Sequence, residues 1–195
     1  PVIGLSKLES LEELLFGFRF NQELEDVSKL KKLTALEFGE FDKKVIGLSQ
    51  LESLEKLWFG DIFNQELGDM SQLKKLRALD FGSEFDKPVI GLSQLESLEK
   101  LKFGKKFNQE LEDMSQLKKL RALEFGSTFD KPVPGLSKLA SLEELKFGKK
   151  YSQEFGMSQL RKLRTLTLKG QRFYRKVVEG PRFALSAWMR RARAP

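Results

Sequence analysis

The sequence contains neither cysteine nor histidine. Without cysteine there can be no disulfide, no thiolate nucleophile and no zinc site of the usual kind. Without histidine the commonest general base is missing as well. Acidic residues are plentiful, but they recur in every unit of a repeating pattern, whereas a catalytic centre should occur once. The expectation is therefore a non-catalytic protein that takes no cofactor, no metal and no small-molecule substrate. An acid-pair hydrolase using Glu37 and Asp80 is the one enzymatic alternative. No Gly-x-x-x-x-Gly-Lys phosphate loop is present. Glycosylation sequons are missing too, since Asn21, Asn64 and Asn108 are each followed by Gln-Glu. No apolar run approaches the ~18 residues of a membrane-spanning helix. These absences favour an intracellular or organellar setting. The chain opens at Pro1 in mid-pattern with no signal-peptide pattern, so further sequence, with any targeting segment, is expected before it.

What the sequence does contain is repetition. The stretch Leu120 to Phe129, of the form Leu-x-x-Leu-x-Phe-Gly-x-x-Phe, recurs along the chain. Aligned on the first phenylalanine, the copies fall at Phe16, Phe38, Phe59, Phe81, Phe103, Phe125, Phe147 and finally Leu168, in steps of 21 or 22 residues. Within each copy Leu-x-Phe alternates with period two, which predicts a short strand. Eight such strands, all running one way, predict a parallel sheet roughly 35 to 40 Å long at ~4.8 Å per strand. Two kinds of unit alternate, one opening Phe-Asn-Gln-Glu-Leu and the other Phe-Asp-Lys-Pro-Val-Ile, so the full period is a pair. In the second kind Ser6, Ser49 and Ser93 precede Glu9, Glu52 and Glu96 by three residues. That spacing predicts a capping box and a short helical turn starting at each serine.

Most positions thereby acquire structural work. The leucines and two phenylalanine columns, the second running from Phe41 through Phe63, Phe85, Phe107 and Phe129 to Tyr151, are predicted to point inward and stack between coils. The column Asn21, Asp42, Asn64, Asp86, Asn108 and Asp130 is expected to satisfy backbone N–H groups with side-chain oxygens. Units of this length and leucine spacing read as leucine-rich repeats. The Leu-x-Phe-Gly-x-x-Phe-Asn wording resembles the FNIP branch of that family over residues 1 to about 170. Proline, however, occurs only in alternate units, and none spells the tetrapeptide itself. The resemblance implies an α/β fold: a leucine-rich-repeat solenoid with a concave parallel sheet, convex helical turns and a role in protein interaction. No particular ligand is implied.

The residue between Leu and Phe is predicted to face outward on the sheet, giving Leu15, Glu37, Trp58, Asp80, Lys102, Glu124, Lys146 and Thr167. From Asp80 onward the signs alternate, and neighbouring charges are placed to pair. Two readings follow. Either the face neutralises itself and stays solvated, or it is a partner-binding surface centred on Trp58 with Glu37, Asp80 and Lys102 around it. On the turns, Lys74, Lys75 and Arg77, like Lys118, Lys119 and Arg121, resemble nucleic-acid patches taken singly. Acidic turns one coil away, with Glu96 and Glu99, make a salt-bridge network the expected arrangement. At the first unit Leu15 and Phe18 stand where later units carry charged or small residues, so this edge is expected to need a cover.

Charge is distributed unevenly along the chain. Residues 1 to 170 carry 28 basic and 27 acidic groups, while residues 171 to 195 carry seven basic groups against Glu179 alone. The expected organisation is therefore a repeat array to residue 170 and a separate basic segment, read as a degenerate terminal repeat, over 171–195. Its Trp188, Arg190, Arg191 and Arg193 are candidates either for a simple cap or for docking to nucleic acid, an anionic membrane surface or an acidic protein.

Overall fold

The computed structural model describes residues 2–168 and the strand Gln171–Tyr174. Eight short strands lie side by side in sequence order: β1 (Glu13–Leu15), β2 (Ala35–Glu37), β3 (Lys56–Trp58), β4 (Ala78–Asp80), β5 (Lys100–Lys102), β6 (Ala122–Glu124), β7 (Glu144–Lys146) and β8 (Thr165–Leu168). All eight are parallel, and equivalent residues sit opposite one another, as in Leu79↔Leu101 and Asp80↔Lys102. A ninth strand, β9 (Gln171–Tyr174), pairs antiparallel with β8. Where a further parallel coil would start, the chain doubles back instead. Among the described residues no helix is long and apolar enough to cross a membrane.

Each coil is closed around its own apolar residues. Leu95, Leu98, Leu101, Phe103 and Phe107 are all buried. The two phenylalanine columns run the length of the solenoid as near-parallel stacks. Phe103 lies 5.1 Å from Phe81 and 5.1 Å from Phe125, and 4.1 Å from Phe107 of its own coil. Each fully buried ring contributes roughly 1.5–3 kcal/mol of apolar transfer, with stacking adding to it. The glycine after the first phenylalanine permits this spacing. A Cβ on Gly104 would lie 1.4 Å from the carbonyl oxygen of Gly82.

The helical turns are 3₁₀ turns of three residues, at Leu5–Lys7, Leu48–Gln50, Leu92–Gln94, Met114–Gln116 and Leu136–Lys138. The expected capping boxes do not form. Ser6, Ser49 and Ser93 sit inside their turns, and the capping positions belong to Gly4, Gly47 and Gly91 in the left-handed conformation, without a side-chain cap. A three-residue turn ends before a glutamate at the box position can reach back across it. At two of these three turns a carboxylate from the next coil takes over, and at the Ser49 turn the equivalent position is Gly68. Glu112 accepts from the N–H groups of Gly91 and Ser93 and from the Ser93 hydroxyl, at 2.6–3.1 Å. Glu25 does the same for Gly4 and Ser6. The Asn/Asp column works as expected but between coils: each side-chain oxygen accepts the N–H of its successor, from Asp42 on Asn21 to Ser152 on Asp130.

Candidate functional site: the concave sheet

The concave surface is built by the alternation of the strands. In Lys56–Trp58 the central Leu57 is buried and both its neighbours are exposed, and the same pattern recurs in β5 and β7. Two outward columns therefore exist. One is the expected column through Glu37, Trp58, Asp80 and Lys102. The second, missed in the sequence reading, is Glu13, Ala35, Lys56, Ala78, Lys100, Ala122, Glu144 and Thr165. Strict period two was the signal that could have found it, since the residues on both sides of the inward leucine face out. Alternating alanines in this column leave small depressions between charged side chains.

A shallow trough of about 630 Å³ runs along this surface. Trp58 and Lys56 stand at one end, and Asp80, Lys100, Lys102 and Glu124 line its middle. Of the residues expected on this face, the structure thus brings Trp58, Asp80 and Lys102 together. Glu37 lies on the far side of Trp58, in register with it, and does not line the trough. Glu37 and Asp80 have Trp58 between them. Two carboxylates separated by an intervening strand do not form a pair that shares a proton. Trp58 is 40% exposed, a large aromatic surface beside the charged and small groups of the strands that follow it.

The alternating charges pair as expected, but in discrete couples. Lys102 Nζ lies 2.7 Å from Asp80 Oδ2, and Lys146 pairs with Glu124. Burial alone would lower the Lys102 pKa, but the bond to Asp80 and the surrounding carboxylates raise it above its ordinary value. Exposed pairs of this kind are worth ~0–1 kcal/mol each, so they organise the face more than they stabilise it. Arg77 bridges Glu55 and Glu99 at 3.5 and 3.2 Å, forming part of the expected turn network. The lysines depart from that expectation. Lys74, like Lys31 two coils earlier, donates to a backbone carbonyl of the next turn, Gln94 and Gln50 respectively, and not to a carboxylate. At the N-terminal edge Leu15 is 59% and Phe18 71% exposed, and among the described residues β1 has β2 as its one partner. Trp188, Arg190, Arg191 and Arg193 lie outside the described residues.

With one strand and one turn per ~22 residues, stacked in a single parallel sheet, the architecture is a leucine-rich-repeat solenoid. Solved structures of that class are similar to it. An internalin from Listeria monocytogenes matches with a TM-score of 0.65 at 20% identity, over 85% of this chain and 49% of the internalin. The circular leucine-rich-repeat protein CroV588 matches with a TM-score of 0.52 at 25% identity, over 84% of this chain and 28% of that one. The chain thus spans half or less of the length of either. No protein-family model and no curated protein matches it.

Proposed function

We propose that the protein is a non-catalytic interaction scaffold whose concave sheet receives a segment of a protein partner, as an accessory component of a larger assembly. The observation that carries this reading is Trp58, a half-exposed indole at the end of a trough with Lys56 beside it and Asp80 across the ladder. Tryptophan in such a setting is the residue type most enriched among interface hot spots. The array over residues 1–170 is the binding unit in this reading, and 171–195 is a separate basic segment. The wording of the Phe-Asn-Gln and Phe-Asp-Lys turns supports placing the repeat beside the FNIP branch. Peptides selected from a random display library against the whole protein supply the test. Trp58→Ala is expected to weaken the selected peptides by about 30-fold or more with an unchanged melting temperature. Peptide affinities indifferent to both Trp58→Ala and Lys56→Glu would remove the concave face from consideration.

A second reading rests on the basic composition of residues 171–195, in which Trp188, Arg190, Arg191 and Arg193 dock the scaffold to nucleic acid or an anionic membrane surface. Binding through that segment would weaken steeply with added salt, whereas an apolar contact at Trp58 would not.

A further inference from the structure

The near-neutral array hides a strong segregation of charge. The eight six-residue stretches that lead into the strands are 7–12, 29–34, 50–55, 72–77, 94–99, 116–121, 138–143 and 159–164, and they hold fourteen basic and seven acidic residues. The segments that follow the second phenylalanine column are 21–26, 42–47, 64–69, 86–91, 108–113, 130–135 and 152–156, with twelve acidic and four basic residues. The fates of the two signs differ. Eight of those twelve acids (Glu25, Asp26, Asp42, Asp69, Asp86, Glu112, Asp113 and Asp130) accept hydrogen bonds from protein N–H groups and are absorbed into the stacking of coils. The lysines of the opposite segment project into solvent.

One row within that basic segment is uniform over all eight coils. Read along the solenoid it is Ser10, Lys32, Ser53, Lys75, Ser97, Lys119, Ser141 and Lys162. Every member can donate a hydrogen bond, and none is acidic. The four lysines are exposed, and none makes a hydrogen bond or ion pair with another described residue. The four serine hydroxyls likewise donate to no other described residue. Register is enforced two residues further on, where backbone bonds such as Arg121 N–H to Glu99 O and Glu143 N–H to Arg121 O tie coil to coil. At about 4.8 Å per coil, the lysines recur roughly every 10 Å along a row roughly 35 Å long.

We propose that this row is a binding site for a nucleic-acid strand, which it takes by its phosphate backbone. A narrow line of donors matches a line of phosphates, and each lysine would neutralise one phosphate while the intervening serines donate to non-bridging oxygens. The row has no aromatic or guanidinium group to stack on a base, and a line of single-point donors spaced for phosphates favours recognition by the backbone over the bases. A flat anionic membrane fits less well, because it would also meet Glu9, Glu52 and Glu96, which alternate with Lys31, Lys74 and Lys118 in the adjacent row. The row shares no residue with the trough or with residues 171–195.

The experiment is a salt titration of a fluorescent 20-nucleotide single strand on the whole chain. The quadruple variant Lys32→Ser, Lys75→Ser, Lys119→Ser and Lys162→Ser extends the serine of alternate coils to every coil, and circular dichroism checks its fold. Four lost phosphate contacts should make the slope of log affinity against log salt shallower by about 3. The double variant Lys75→Ser, Lys119→Ser should lose about half of that, and it stands alone if the quadruple variant unfolds. Arg190→Gln, Arg191→Gln and Arg193→Gln together measure the tail's share in the intact chain. A slope that changes with the tail substitutions but not with the lysine substitutions overturns the proposal. So does lysine-dependent binding to vesicles of phosphatidylserine and phosphatidylcholine with no lysine-dependent binding to the oligonucleotide.

Discussion

Tyr151 shows how tightly the repeat constrains single residues. It ends the second aromatic column, 3.7 Å from Phe147, where every earlier coil has phenylalanine. Its hydroxyl is buried without a hydrogen-bond partner among the described residues, and burial together with the charge of Asp130 pushes its pKa up. Removing a buried donor that bonds to nothing should help, so Tyr151→Phe is expected to raise stability by about 1 kcal/mol, read from the shift of a urea unfolding midpoint. Two glycines make a paired prediction. Gly104→Ala drives a methyl into the Gly82 carbonyl and should cost at least about 3 kcal/mol, whereas Gly17→Ala meets open space and should stay within about 0.5 kcal/mol. Equal effects at the two sites would mean that the glycine column does not set the coil spacing.

At the level of elements, several of the turns are held by carboxylates. Asp26, Asp69 and Asp113 each accept the N–H of the serine two residues on, at 2.8 Å, and that bond holds each carboxyl below its ordinary pKa. Glu25 is lowered chiefly by the Gly4 N–H. For Glu112 burial acts to raise the pKa and is outweighed by the bonds from Ser93 and Gly91. A carboxyl lowered on folding stabilises the native state above its unfolded pKa, and that contribution disappears as pH falls through the folded value. Stability should therefore be flat between about pH 5 and about pH 9 and decline below about pH 4. Asp113→Asn, which keeps an acceptor oxygen, should shrink that decline; an unchanged acid limb would show that these turns do not control it. The Asn/Asp column makes a further distinction. Asp86 accepts from both Asn108 N–H and the Gln109 amide, whereas Asn108 accepts from Asp130 N–H alone. Replacing Asp86 by alanine should accordingly cost about 1 kcal/mol more than replacing Asn108.

For the whole molecule, each coil touches only its neighbours, so stability is a sum of local terms and not the property of one core. The end coils are the weakest. Leu14 and Phe16 of the first coil are only partly buried, whereas their equivalents Leu101 and Phe103 are buried between coils on either side. Native-state hydrogen exchange should show strongest protection in β4 to β6, falling toward β1. Uniform protection along the sheet would mean that the array opens as a single unit. The architecture was legible because a 22-residue period, a period-two strand and buried columns all describe the same coil. The turn chemistry was less legible. The Ser-x-x-Glu spacing invited a capping box, but the partners that matter, Glu25 and Glu112, lie 19 to 21 residues away from the groups they bind. Local spacing carries no information about a bond to the next coil.

The sequence by itself determined that the chain coils, how often, and which columns are buried, because apolar periodicity and glycine placement admit one stacking. It also marked Trp58 as a departure from its column. Only the tertiary structure decided what remains available once the coils are stacked. Register turned Glu13 to Thr165 into a second outward column and set Glu37 outside the trough that Trp58 ends. Stacking also consumed most of the acids of the segments after the second phenylalanine column, because their oxygens meet the N–H groups of neighbouring turns. The serine and lysine row has no such partners among the described residues. A sequence that balances 28 basic against 27 acidic groups through residue 170 therefore folds into an array with one distinctly basic side.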